Sequence, residues 1–143
     1  MLPPGPSATA GRRYDLPMGQ LSVLVVDDDP VILRLLEVNF QLEGIDVATA
    51  RDGEEGVARA RAWKPDVVIS DIMMPNVNGL ELLAILRDDP STAALPVILL
   101  SAKAQAADVQ RGLELGAADY ITKPFDPLEL IQRVYNVLAK SGR

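Results

Sequence analysis

The amino-acid sequence predicts an α/β protein with a doubly wound parallel sheet, covered by helices on both faces. Residues 66–75 carry the main signal, because an unbroken apolar run there ends abruptly in Asp71 and a proline soon follows. Such runs, without polar alternation, are typical of strands buried on both faces of a parallel sheet. Three more apolar runs end at a polar or charged residue: 21–26 at Asp27, 97–100 at Ser101 and 119–122 at Lys123.

The first elements can be placed from their end signals. Residues 1–20 contain four prolines and three glycines with little apolar periodicity, so we expect a flexible tail before a strand at 21–26. Asp29 followed by Pro30 is a helix N-cap signature, and Gly44 is a plausible C-cap. Between them, four residues recur at the spacing of an apolar helix face: Val31, Leu35, Val38 and Leu42.

The next elements continue this alternation of strand and helix. Residues 45–50 form a short strand of mixed polarity that suits a sheet edge, and a helix is predicted over 53–63 despite Gly56 in its interior. The strand that ends in Asp71 follows. Residues 76–79 are a predicted loop before a helix that runs from Leu80 to about residue 88.

The last third repeats the strand–helix pattern twice more. A loop at 90–96 leads to the fourth strand, and a weak helix at 104–115 has Gly112 inside it. The mixed run 119–122 is a second edge candidate. A second Asp-Pro cap, at 126–127, then opens a final helix whose apolar face is Leu130, Ile131, Val134, Val137 and Leu138.

Five strands alternating with five helices define the predicted topology. Strands 1, 3 and 4 are apolar enough to be central, and right-handed crossovers then favour the flavodoxin-like order 2-1-3-4-5. The first and third strands are neighbours in that order. We therefore expect Asp27, Asp28 and Asp71 to converge at the carboxyl edge of the sheet, where open α/β sheets bind ligands.

Composition narrows the possible chemistry. The 143 residues suit one domain, and the net charge of −6 argues against direct nucleic-acid binding. The absence of cysteine and histidine excludes disulfides, thiolate or imidazole metal sites and Ser-His-Asp triads. No apolar stretch reaches the ~18 residues of a membrane span, and the N-terminus lacks a signal-peptide core. We expect a soluble, cytoplasmic protein without a membrane partner.

The three converging carboxylates should bind either protons or a cation, because they repel one another. Oxygen ligands without His or Cys suit Mg²⁺, with Mn²⁺ also possible. Lys123 adds a positive charge at the same edge and Ser101 adds a hydroxyl, which together suit phosphoryl transfer to Asp71. Each residue taken alone also fits a plainer role: a solvated helix start for the acidic residues, a surface charge for Lys123.

The motifs resemble those of the receiver domain of two-component response regulators, over residues 21–140. The matching pieces, in order, are Asp27-Asp28, residues 71–79, Ser101-Ala102 and residues 116–125. The resemblance implies that Asp71 accepts a phosphoryl group from a histidine kinase or phosphotransfer protein.

The same resemblance implies roles for the neighbouring residues. Mg²⁺ would be held by Asp28, Asp71 and the backbone carbonyl of Met73, with Asp27 reaching it through water. Ser101 and Lys123 would bind the phosphoryl oxygens, and Lys123–Pro124 would be a cis peptide. Tyr120 would be an aromatic switch that turns in from the surface when Ser101 moves; the alternative is an ordinary edge-strand aromatic.

Activation is then expected to change the face made by the fourth helix, fifth strand and fifth helix, where a target protein or a second copy would bind. Met73 and Lys103, two residues beyond Asp71 and Ser101, are the expected tuning positions for loss of the phosphoryl group. The chain ends soon after residue 140, with 141–143 as a short tail. It is thus expected to be either a stand-alone regulator or a receiver cut from a longer protein.

Two other functions use the same residues. The residues around Asp27 and Asp29 also fit the Asp-x-Asp opening of haloacid-dehalogenase phosphatases, but that would leave Asp71 without a role, and no acidic pair follows Lys123 at a strand end. A binding module that is never phosphorylated would not need the complete set of residues. Dinucleotide and P-loop functions are excluded because neither glycine motif occurs.

Overall fold

A computed structural model describes residues 21–103 and 105–141. The predicted tail at 1–20 and residues 142–143 lie outside the described part. The five strands are β1 (Ser22–Val26), β2 (Asp46–Ala50), β3 (Val67–Asp71), β4 (Val97–Ser101) and β5 (Asp119–Thr122). The five helices are α1 (Pro30–Leu42), α2 (Gly53–Trp63), α3 (Gly79–Asp88), α4 (Ala106–Glu114) and α5 (Pro127–Lys140).

The sheet has the predicted order, β2-β1-β3-β4-β5, with all neighbouring strands parallel. β3 and β4 are buried along their whole length, whereas most of edge strand β2 is partly exposed. Helices α1 and α5 pack on one face of the sheet, and α2 and α3 pack on the other. Helices on both faces explain why the central strands are continuously apolar.

The two Asp-Pro signatures cap helices as predicted. The Asp29 carboxylate accepts a hydrogen bond from the backbone N–H of Val31, and that of Asp126 accepts one from Leu128, each at 2.9 Å. The proline that follows each aspartate occupies the first helical position, where no backbone donor is needed. Both caps start a helix directly beyond the carboxyl edge of the sheet, which fixes how the chain leaves β1 and β5.

The apolar face predicted for α1 is wrong. Val31 and Leu42 are 71% and 79% exposed, and the two residues between them in that stripe are also exposed. The helix instead buries Leu33, Leu36 and Phe40 against the sheet. Both sets recur at helical spacing, so periodicity alone cannot decide between them. By contrast, the predicted face of α5 is buried at all five positions.

Two helix boundaries differ slightly from the sequence prediction. α3 begins at Gly79 rather than Leu80, because Asn78 and Glu81 form a capping box around its first turn. α4 spans Ala106–Glu114, and its N-cap, Gln105, makes no side-chain capping bond. Among the described residues, none of the helices has the length and apolar character needed to cross a membrane.

Candidate functional site

Acidic side chains meet at the carboxyl edge of the sheet, between β1 and β3. Asp27 directly follows β1 and Asp71 is the last residue of β3, and the strands are aligned so that Val26 pairs with Ser70. One carboxylate oxygen each from Asp27, Asp28 and Asp71 lies within 4.8 Å of the others. The convergence expected from the strand order is therefore present.

The three carboxylates differ in their surroundings. Asp27 is fully buried, and its two oxygens accept hydrogen bonds from the backbone N–H of Asp29 at 2.9 Å and from Lys123 Nζ at 3.1 Å. Asp71 is also buried, whereas Asp28 is exposed to solvent. The cluster thus offers oxygen donors only, one of them open to water, which is compatible with a hard cation such as Mg²⁺.

Lys123 supplies the positive charge at this edge. Its backbone N–H donates to the carbonyl of Ser101 at 2.8 Å, which anchors it beside β4. Its ammonium lies 3.1 Å from Asp27 and 3.3 Å from an oxygen of Asp71. Burial lowers the pKa of Lys123, but the hydrogen bond and charge of Asp27, together with Asp71, outweigh this and raise it overall. Lys123 therefore stays protonated while it bridges the two carboxylates.

The carboxyl group of Asp71 is less acidic than a free aspartate. Burial is the main reason that its pKa is raised, and the neighbouring charge of Asp27 raises it further. Lys123 and the backbone N–H of Met73 act in the opposite direction without cancelling the effect. The site therefore holds a buried carboxylate of raised pKa directly beside a positive charge.

The backbone of Gly79 packs directly against the backbone of Asp71 and Ile72, a contact that sequence reasoning missed. A β-carbon on Gly79 would collide with the backbone carbonyl of Asp71 and lie 2.8 Å from Cα of Ile72. The backbone N–H of Gly79 donates to the Ile72 carbonyl at 3.0 Å. The spacing of Asn78 and Glu81, typical of a capping box, is the signal that would have assigned Gly79 to a helix start.

The hydroxyl of Ser101 lies at the end of β4, the strand next to Asp71. Ser101 is fully buried, and its Oγ accepts a hydrogen bond from the backbone N–H of Lys103 at 3.0 Å. The pairing of Asp71 with Leu100 places Ser101 one residue beyond it on the neighbouring strand. The positions named as tuning residues, Met73 and Lys103, are both exposed.

Tyr120 points inward in this structure. The residue is 7% exposed, and its ring packs in the core against Gly112 of α4, with its hydroxyl donating to the carbonyl of Lys103 at 3.0 Å. The sequence-based expectation starts from a ring on the surface, and the ring found here is already inside. The Lys123–Pro124 peptide is cis, as the resemblance implies.

Comparison with known proteins identifies the class. The family model for the response regulator receiver domain matches residues 23–135, so the chain belongs to this family. It is thus a signalling domain of the two-component type, with which a phosphoacceptor role is consistent. This membership sets aside the haloacid-dehalogenase alternative.

Particular relatives support this assignment. The chain resembles the alkaline phosphatase synthesis transcriptional regulatory protein PhoP of Bacillus subtilis, with 44% identity over 119 aligned residues. The alignment covers 83% of this chain and 49% of PhoP. It also resembles the probable transcriptional regulatory protein TcrX of Mycobacterium tuberculosis, with 42% identity over 132 aligned residues. That alignment covers 92% of this chain and 54% of TcrX. The chain therefore spans about half the length of these curated relatives.

Solved structures agree with this family. A Francisella response regulator 1452 receiver domain is 38% identical with a TM-score of 0.80, covering 85% of this chain and 99% of that one. A putative response regulator from Chloroflexus aurantiacus is 36% identical, with the same TM-score and the same coverage. The fold is thus that of a receiver domain, and the three clustered aspartates all lie within the residues that the family model matches.

Proposed function

We propose that Asp71 is the phosphoacceptor of this receiver domain. The observation that carries the proposal is the position of Lys123 Nζ, 3.3 Å from a buried carboxylate oxygen at the end of the central strand. The donor would be a phosphohistidine of a histidine kinase or a phosphotransfer protein. An Asp71 oxygen attacks phosphorus and the P–N bond breaks, with its electron pair going to the ring nitrogen. The phosphohistidine ring already carries a proton on its other nitrogen, so it leaves as neutral imidazole.

Two side chains and a bound cation would assist the transfer. Lys123 neutralises charge on the phosphoryl oxygens, and Ser101 donates a hydroxyl hydrogen bond to one of them. We propose that Mg²⁺, or Mn²⁺, is held by Asp28, Asp71 and the backbone carbonyl of Met73, with Asp27 acting through water. When bound, the cation would supply further positive charge against the phosphoryl group.

The role of Asp27 follows from its hydrogen bonds. Both of its oxygens are already engaged, one by the Asp29 backbone and the other by Lys123. Asp28, in contrast, is exposed at the mouth of the cluster. This difference supports Asp28 as the direct ligand and Asp27 as a residue that both holds Lys123 and contacts a metal-bound water.

The output would be a change in protein contacts. We place it on the face formed by α4, β5 and α5, with Ser101 and Tyr120 as the switch, and expect a downstream protein or a second copy to bind there. Several relatives are named as DNA-binding regulators, but those names describe proteins of which this chain matches only about half. The net charge of −6 supports a domain that does not itself contact nucleic acid.

The remaining parts of the proposal concern the extent and location of the domain. We assign the receiver to residues 21–140, with tails at 1–20 and 141–143, and a cytoplasmic location. We also propose that the domain has no substrate besides itself, so that it catalyses only its own phosphorylation and dephosphorylation.

Mapping the modified residue tests the acceptor assignment. Incubation with acetyl phosphate and Mg²⁺ should add one phosphoryl group to the wild type and none to Asp71→Asn. Asp29→Asn is the matched control, because it removes a neighbouring carboxylate but keeps a side chain that can cap α1. Uptake by Asp71→Asn at the wild-type rate would refute the assignment.

Hydrogen exchange tests the proposed output face. Addition of beryllofluoride, which mimics a phosphoryl group on aspartate, should change amide exchange within residues 102–121 and leave β2 unaffected. An unchanged exchange pattern over 102–121 would count against a switch on this face.

A further inference from the structure

Gly112, in the interior of α4, lies where the ring of Tyr120 packs. A β-carbon built on Gly112 would lie 3.0 and 3.3 Å from two ring carbons of Tyr120, Cδ2 and Cε2, and 3.1 Å from Cδ1 of Leu99. These distances are tighter than ordinary carbon–carbon contacts, and an aromatic ring backed by a strand cannot bend away from them. Glycine is a poor helix former, so its contribution at this position is the space that it leaves.

The ring that fills this space is connected to the candidate site. The Tyr120 hydroxyl donates to the backbone carbonyl of Lys103, and the backbone N–H of the same residue donates to Ser101 Oγ, both at 3.0 Å. One residue's backbone therefore joins the tyrosine hydroxyl to the serine hydroxyl. Any displacement of the ring would break the first hydrogen bond and loosen the turn that holds the second.

We propose that Gly112 is a positioning residue for Ser101, acting through Tyr120. By admitting the ring beneath α4, it allows the tyrosine hydroxyl to hold the 101–103 turn and so fixes the buried hydroxyl of Ser101. This inference rests on the proposed contact between Ser101 and the phosphoryl group. The position of the ring, however, can be measured without phosphorylation.

A matched pair of variants separates this role from simple destabilisation. Gly56 is likewise a buried glycine in a helix interior, and a β-carbon there would lie 2.9 Å from Leu82 and 3.0 Å from Val26. Gly112→Ala and Gly56→Ala therefore introduce similar crowding, but only the first meets Tyr120. The probe is the ¹⁹F resonance of 3-fluorotyrosine at position 120, assigned by its loss in Tyr120→Phe.

The expected result is a shift of the Tyr120 resonance, with increased solvent exposure, in Gly112→Ala and no shift in Gly56→Ala. Uptake from acetyl phosphate should also slow in Gly112→Ala while still mapping to Asp71. An unmoved resonance in Gly112→Ala, or equal shifts in both variants, would overturn the proposal. If Asp71→Asn still took up phosphate, the acceptor assignment would fail while the ring measurement would remain valid.

Two further variants give a decision if Gly112→Ala folds poorly. Tyr120→Phe removes only the hydroxyl, and amide exchange at Lys103 should quicken about five- to tenfold, the ratio expected for one hydrogen bond. In a Tyr120→Ala background, which vacates the ring space, the protein carrying Gly112→Ala should fold, and Gly112→Ala should cost less stability than it does in the wild type. Unchanged exchange at Lys103, or an undiminished cost without the ring, would overturn the proposal.

Discussion

The ammonium of Lys123 lies 3.3 Å from Asp71 Oδ1 and 3.1 Å from Asp27 Oδ2, and so bridges two buried carboxylates at the carboxyl ends of neighbouring strands. These carboxylates would otherwise face each other without a cation. The ammonium comes from the segment after β5, at the opposite edge of the sheet from β2. The bridge therefore links the segment after β5 to the ends of β1 and β3 at the carboxyl edge.

Removing this bridge should destabilise the domain. We expect Lys123→Met to lose about 2 kcal/mol in metal-free buffer at neutral pH, less than the about 3–5 kcal/mol for a fully buried pair because the ammonium is partly hydrated. Urea denaturation measures the loss. Lys103→Met, which removes an exposed lysine, is the control and should stay within about 0.5 kcal/mol of wild type. Equal stability of the two variants would contradict the bridge.

Neutralising Asp71 should have the opposite effect on stability. Its pKa is raised in the folded chain, by burial first and then by Asp27, so the folded state binds the proton more tightly than the unfolded state. The stabilisation from that proton is complete below the unfolded pKa and is lost as pH rises through the folded one. Asp71→Asn should therefore be more stable than wild type at neutral pH without Mg²⁺.

The pH dependence provides the check on this prediction. The advantage of Asp71→Asn should shrink as the pH falls through the raised pKa of Asp71, in melting curves recorded between pH 4 and 8. Mg²⁺ should also narrow the difference at neutral pH, because it binds the folded wild type more tightly. An Asp71→Asn protein that is less stable than wild type at pH 7 in metal-free buffer would contradict the assigned electrostatics.

Metal affinity should distinguish Asp28 from Asp27. Asp28→Asn removes a proposed direct ligand and should weaken Mg²⁺ binding by ~100-fold or more. Asp27→Asn removes a residue that acts through water and should cost ~10-fold. Calorimetric Mg²⁺ titration of both variants and of Asp29→Asn measures the order. Wild-type affinity in Asp28→Asn would rule out the direct ligand.

Strand order and the acidic cluster could be predicted because both depend on burial. Continuous apolar runs identified β1, β3 and β4 as central, and the position of Asp71 at the end of one run placed it opposite Asp27. Parallel strands align their carboxyl ends, so no tertiary information was needed to bring these residues together. The bonds that distinguish Asp27 from Asp28 depend on loop geometry, which apolar patterns do not encode.

Sequence reasoning failed at two places: the buried face of α1, where two apolar patterns fit equally well, and Gly112, where the absence of a side chain leaves room for a neighbour. In α1, the stripe through Val31 and the set through Leu33 have equally good periodicity, and only the packed sheet selects the second. Gly112 appeared in the sequence as a weakness in a helix. In the structure, its missing side chain leaves room for the ring of Tyr120. A glycine adds nothing to an apolar pattern, so the sequence does not indicate which residue packs against it.

The lifetime of the phosphoryl group should depend on the residues around the approach to Asp71. Hydrolysis requires a water positioned in line with the bond to be broken, and polar side chains nearby can orient it. Met73 and Lys103, two residues beyond Asp71 and Ser101, are both exposed, and Met73 is 59% accessible. A thioether binds water poorly, and a charged lysine has donors but no acceptor for a proton of water. We therefore predict slow self-dephosphorylation.

Substitution at these two positions measures the effect. Met73→Asn and Lys103→Glu each introduce a water-orienting group, and each should speed the decay of phosphorylated protein by ~10- to 100-fold, the scale found for well-placed groups. Leu113→Asn, which adds an amide at an exposed leucine of α4, is the control and should leave the decay rate unchanged. Decay is followed after removal of the phosphodonor, with Mg²⁺ held constant. If neither substitution shortens the lifetime, the rate is not set at these positions, and the buried Ser101 and the half-buried Lys123 would have to govern it instead.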